Sequence, residues 1–79
     1  MSQLSPKPVE AQQLLSFYDA LREVAKGNRM TRISWNDENE YGVLLEGTLT
    51  IHTKGAFHGW LVNDGDLEGT DWILLGKAN

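Results

Sequence analysis

The hydrophobic period of this chain changes at Gly27, and that change constrains the fold more than any other feature. Before it, Leu14, Phe17, Tyr18, Leu21 and Val24 recur at spacings of three and four, which makes one apolar stripe on a helix. After it, apolar and polar residues alternate, as half-buried strands require. A chain that opens on one amphipathic helix and continues in short alternating segments must lay that helix against a sheet. The expected fold class is α+β, with one N-terminal helix packed on a small antiparallel sheet of four to five strands.

Local signals set the expected boundaries. Ser16 followed by Asp19 resembles a capping box with Asp in place of Glu, so the helix is expected to begin at Ser16. Lys26 suits its last turn and Gly27 supplies the left-handed stop. Residues 1–15, which carry both prolines, read as a tail or irregular lead-in, and residues 16–79 as a single α+β domain. "RMTRISW" (29–35) reads as a strand and "NDEN" as a turn. "EYGVLLEGTLTIHT" reads as a hairpin turning at Glu46-Gly47, with Tyr41, Val43 and Leu45 alternating on one arm and Leu49 and Ile51 on the other. "KGAFHG" reads as a loop, "WLV" as a short strand, "NDGDLEG" as a loop and "TDWILL" as the last strand.

The chain has 79 residues, enough for one core, and no cysteine. A domain of that size buries only about 60–65% of the surface it exposes when unfolded. Disulfides and thiolate metal sites are excluded, and two histidines are too few for a zinc site without carboxylates. Idealised packing or self-association must supply the rest, and a homo-oligomer is expected. The net charge of −4 leaves too little basic surface for long nucleic acid. No apolar run approaches the ~20 residues that span a bilayer. No charged and apolar leader opens the chain. The expected location is the cytoplasm, with no membrane partner and no cofactor.

Catalysis finds little support, because a nucleophile elbow, a phosphate loop and a helical pair of metal-binding histidines are all missing. Asp64, Asp66, Glu68 and Asp71 read as turn-capping, solvating residues before they read as an acid–base pair. His52 alternates with Thr48 and Thr50 on a polar side, and His58 sits in a Gly-flanked loop; neither reads as a catalyst. Trp72, inside an apolar strand, reads as a core anchor. Trp35 and Trp60, at strand–loop junctions, read equally as core anchors or as walls on which a base could stack. Arg29 and Arg32 fall on opposite faces of a regular strand. Each can grip a phosphate or simply keep the surface soluble.

"FYDALREVAKG", "TRISW" and the stretch from Trp60 to Trp72 together resemble the phage-encoded Thoeris anti-defence family, specifically its second type. The matching positions are Phe17, Ala20, Leu21, Gly27, Arg32, Trp35, Trp60, Asp66, Leu67, Asp71 and Trp72, and they cover residues 16 to 75. Where the family commonly has Pro-Ser, this chain has Val62-Asn63.

The resemblance implies a small α+β protomer assembled into a dimer or tetramer. It implies a protein that sequesters a cyclic nucleotide immune signal, such as a cyclic ADP-ribose isomer or a cyclic oligonucleotide, without cleaving it. On that reading Trp35 and Trp60 stack on a base, Arg32 holds phosphate, and Asn36, Asn63, Asp66 and Asp71 make polar contacts. Arg29, Arg32 or a partner chain's cation would supply the counter-charge. The alternative is an inhibitor that binds a host defence protein, such as a CRISPR effector, through the acidic stretch from Asp64 to Asp71.

Overall fold

Ser16 starts the helix as its spacing suggests. Its backbone is extended and its hydroxyl accepts the Asp19 N–H at 3.1 Å, which satisfies one of the donors a helix start leaves free. The computed structural model describes residues 13–78. The expected tail therefore lies mostly outside the described residues. Helix α1 spans Phe17–Val24 and buries Phe17, Ala20 and Val24. Gly27, at φ 106°, lets the chain leave it.

The strands are β1 (Asn28–Arg32), β2 (Tyr41–Leu45), β3 (Thr48–Thr53), β4 (Ala56–Gly59) and β5 (Trp72–Lys77). They form one antiparallel sheet in the order β4-β3-β2-β1-β5. A second helix, α2 (Asp64–Glu68), precedes β5. The α+β architecture, one main helix on a five-stranded sheet, is the one expected from the periodicity.

Three segments differ from their sequence reading. The first strand stops at Arg32, and Ile33–Trp35 form a 3-10 turn. The cause is Asp71: its carbonyl accepts Ile33 N–H at 3.1 Å and its carboxylate accepts Ser34 N–H at 2.9 Å, which turns the chain out of the ladder. "AFHG" is not loop but β4, because Lys54 (φ 53°) and Gly55 (φ 79°) make a second tight turn. This repeats the backbone of Glu46 (φ 50°) and Gly47 (φ 82°), both residues on the left-handed side as a two-residue hairpin turn prefers. Residues Trp60 to Val62 form no strand, and the loop after them contains α2. Asn63 caps α2 reciprocally: its side chain accepts Asp66 N–H at 2.8 Å, and the Asp66 carboxylate accepts Asn63 N–H at 3.2 Å.

Helix α1 packs on one face of the sheet. Phe17, Ala20, Val24, Met30 and Trp72 form the buried core, with Leu15, Leu21, Trp35, Leu49, Trp60, Val62 and Leu74 against it. The register Met30↔Gly42 puts Gly42 on this face, where an added Cβ would lie 2.2 Å from Trp60 Cζ3. The bare backbone at Gly42 is what lets the Trp60 ring lie against β2.

The other face carries Tyr41, Val43 and Leu45, opposite His52, Thr50 and Thr48. Tyr41 stacks on His52 at 4.9 Å, and Phe57 meets His52 at 4.7 Å. Val43 is buried within the protomer, whereas Leu45 and Phe57 stay exposed.

Candidate functional site

Arg32, at the end of β1, is held on three sides. Its Nε donates to Asp71 Oδ1 at 2.8 Å, its guanidinium carbon lies 5.2 Å from the Trp72 ring centroid, and Gly69 packs against it. Nη1 lies 3.4 Å from the Gly65 carbonyl, a weak contact. Nη2 makes no hydrogen bond among the described residues. The ion pair is mostly buried, with 19% and 26% of the two side chains exposed, so it is screened less than a surface pair.

Asp71 is the hinge of this arrangement. Burial alone would raise its pKa, but hydrogen bonds from Ser34 and Arg32, with the guanidinium charge, outweigh that and hold the carboxyl below its ordinary value of 3.8. Above the ordinary value both folded and unfolded chains are ionised, and the folded state keeps the full benefit. As pH falls through the lowered folded value, the unfolded chain has already taken its proton and the benefit is lost. Wild type is therefore expected to lose more stability than Asp71→Asn between roughly pH 5 and roughly pH 2. Urea unfolding of both proteins across that range checks it, and parallel acid curves would contradict it.

A cavity of about 340 Å³ opens beside Arg32, lined by Thr31, Arg32, Ile33, Asn36, Asp37, Glu38 and Ile73. That volume lies at the lower end of small-molecule sites. Its rim is fixed rather than loose. Asn36 sits in the left-handed conformation (φ 55°), Asn39 N–H donates to Asp37 Oδ1 at 2.8 Å, and the Thr31 hydroxyl donates to the Glu40 carbonyl at 2.6 Å. His52 Nδ1 lies 2.6 Å from the Asn39 carbonyl, and the Thr53 hydroxyl donates to Glu40 Oε2 at 3.0 Å. Asp37 and Glu38 offer exposed acceptors, while Ile33 and Ile73 supply apolar wall.

The expected site residues separate into groups. Arg32 and Asn36 border the cavity, and Asp71 positions Arg32. Trp35 and Trp60 meet at 6.3 Å, edge to face, and both pack on Trp72, at 5.2 and 5.8 Å. Both keep part of their surface exposed, but neither borders the cavity. Asn63 and Asp66 are occupied with each other at the start of α2. Arg29 is turned to the opposite face, its guanidinium carbon 5.3 Å from the Tyr41 ring centroid and Nη2 on the Leu75 carbonyl, so it does not join Arg32. Thr31, Ile33, Asp37, Glu38 and Ile73 were not singled out by sequence. "NDEN" reads as an ordinary turn, and only the return of β5 beside β1 makes a cavity behind it.

Trp72 explains why large aromatics sit beside acids. It is fully buried, and its indole N–H donates to the Asp66 carbonyl at 3.2 Å. Asp66 is itself buried by its capping role. Residues 15–75 match the Thoeris anti-defense 2-like domain, which is most of the chain. The chain belongs to this family. No curated protein matches it. Membership makes this Thoeris anti-defense 2-like chain an anti-defence protein, and the match spans α1, the whole sheet up to Leu75 and the Arg32–Asp71–Trp72 arrangement. No helix among the described residues is long and apolar enough to cross a membrane.

Proposed function

We propose that this protein binds a cyclic nucleotide immune signal, a cyclic ADP-ribose isomer or a cyclic oligonucleotide, and withholds it without cleaving it. The observation that carries the reading is Arg32: a cation fixed by Asp71 and Trp72, with an uncommitted donor, at the edge of a cavity of about 340 Å³. A phosphate oxygen suits that donor. Asn36 and the carboxylates of Asp37 and Glu38 suit ribose hydroxyls and the amino edge of a base. Trp35 and Trp60 lie outside this cavity but are only half-buried, so a base that extends past Arg32 can stack on them, which contributes roughly 1–3 kcal/mol per base.

The cavity rim is net acidic, since Arg32 is already balanced by Asp71 while Asp37 and Glu38 are not paired among the described residues. A second copy of the chain is therefore part of the proposal, supplying cation to a phosphate-rich ligand and cover to Leu45 and Phe57, which are 38% and 49% exposed. The alternative, an acidic surface that captures a host protein, retains Asp64 and Glu68. Asp66 and Asp71 are committed to internal hydrogen bonds.

Native mass spectrometry of protein purified from cells producing such signals tests both parts together. The expected spectrum shows an oligomer carrying a small molecule that is released intact on heating. A bare monomer at micromolar concentration, with no thermal stabilisation by a panel of cyclic nucleotides, would sink the proposal.

A further inference from the structure

Gly69 has no backbone need to be glycine. Its φ of −65° and ψ of 143° suit any residue, and its N–H donates to the Asp66 carbonyl as any amide would. What it lacks is a side chain, and that lack has one beneficiary. A Cβ built there would lie 2.6 Å from Arg32 Nη2, 2.7 Å from Cζ and 3.0 Å from Nε. The crowded atoms all belong to the far end of one side chain, so a methyl at position 69 displaces the guanidinium before it disturbs the fold.

The displacement has a definite chemical cost. Arg32 reaches Asp71 through Nε and lies over Trp72 because Gly69 leaves the guanidinium room to do both. In this pose Nε is spent on Asp71 and Nη1 is turned toward Gly65, which leaves Nη2 as the uncommitted donor. Pushed outward, the guanidinium becomes a mobile surface cation, and Asp71 loses its partner.

We propose that Gly69 is a positioning residue for Arg32, setting the pose in which a single amino group is presented to a ligand anion. The proposal deepens the reading of the site as one for a phosphate-bearing nucleotide, and rests on it for the nature of that anion. Its consequence is that Arg32 meets a phosphate through Nη2 and not through its side-on Nε edge, which is already given to Asp71.

The test compares wild type, Gly69→Ala and Asp71→Asn, with two readouts. The first needs no ligand. In Gly69→Ala the Arg32 Nε–H resonance should lose its Asp71-bonded shift, and the Asp71 carboxyl should titrate closer to 3.8. The second uses cyclic ADP-ribose and adenosine as probes. Gly69→Ala should weaken cyclic ADP-ribose binding about tenfold or more, the loss of one charged hydrogen bond, and Asp71→Asn serves as the reference for an Arg32 Nε–H without a carboxylate partner. Adenosine, which has no phosphate, should bind wild type and Gly69→Ala alike.

An unchanged Arg32 resonance and Asp71 titration in Gly69→Ala would overturn the proposal. Equal weakening of both probes would also overturn it, since that marks general damage to the site. Failure of wild type to bind cyclic ADP-ribose would count against the nucleotide reading alone, and the first readout would still decide where Gly69 places Arg32.

Discussion

Trp72→Ala is expected to leave little folded protein at physiological temperature. Trp72 is fully buried, and it touches every part of the core that matters here. Phe17 meets it at 5.5 Å, Trp35 at 5.2 Å and Trp60 at 5.8 Å, and Arg32 lies over its ring. Truncating a buried aromatic to Ala costs about 3–5 kcal/mol. A domain of this size has only about 4–12 kcal/mol in total, at roughly 0.05–0.15 kcal/mol per residue. The substitution also removes the buried indole donor from the Asp66 carbonyl, which is left with the Gly69 N–H at 3.3 Å. Trp72→Phe should retain much of the packing and lose mainly that hydrogen bond. Thermal unfolding followed by circular dichroism checks both. A cooperative transition in Trp72→Ala close to that of wild type would show that the core does not centre on this residue.

The second large effect is expected from the smallest change, Gly42→Ala. The new methyl would sit 2.2 Å from Trp60 Cζ3 and 2.8 Å from Cε3. Neither is a flexible chain end, because the ring is braced by Phe17 at 5.8 Å and by Trp35 and Trp72. Overpacking of this kind costs about 1–3 kcal/mol. The ring should swing outward, with a red shift in tryptophan emission. Removing the ring should remove the clash, so Gly42→Ala in a Trp60→Ala background should cost much less than it does alone. Equal costs in the two backgrounds would mean that the strain lies elsewhere. The pair also bears on function. If Trp60 stacks on a base, Gly42→Ala weakens nucleotide binding by moving a residue it does not replace.

Much of the architecture was legible because its signals are local. The helix with Phe17, Leu21 and Val24 turned to the core, the Ser16 cap, the Gly27 exit and the Glu46-Gly47 turn each lie within a few residues, and each is where the periodicity and turn chemistry put it. Leu14 and Tyr18, read as part of the same stripe, are instead 57% and 60% exposed, and Ala20 takes the buried place. Two local signals went unread. Lys54-Gly55 is the same kind of turn as Glu46-Gly47, and Asn63-x-x-Asp66 is a helix start written with short side chains. The family was legible too, because its motifs lie in order along the chain and the domain match covers them.

What tertiary structure alone decided depends on residues far apart in sequence. Asp71 ends β1 by taking the Ser34 amide 37 positions away, and it holds Arg32 across 39. The β1–β5 register shifts between Arg29 and Met30, so Gly76 and Leu74 are the successive partners and Leu75 is left to accept from Arg29. Gly42 and Gly69 look like permissive spacers until Trp60 and Arg32 are seen lying against them. A periodic pattern states which face a side chain takes, because that follows from backbone geometry shared by every residue of an element. It does not state which atom meets which across the fold, because that depends on how closed elements fit in three dimensions. The candidate site, unlike the fold that carries it, is made of such meetings.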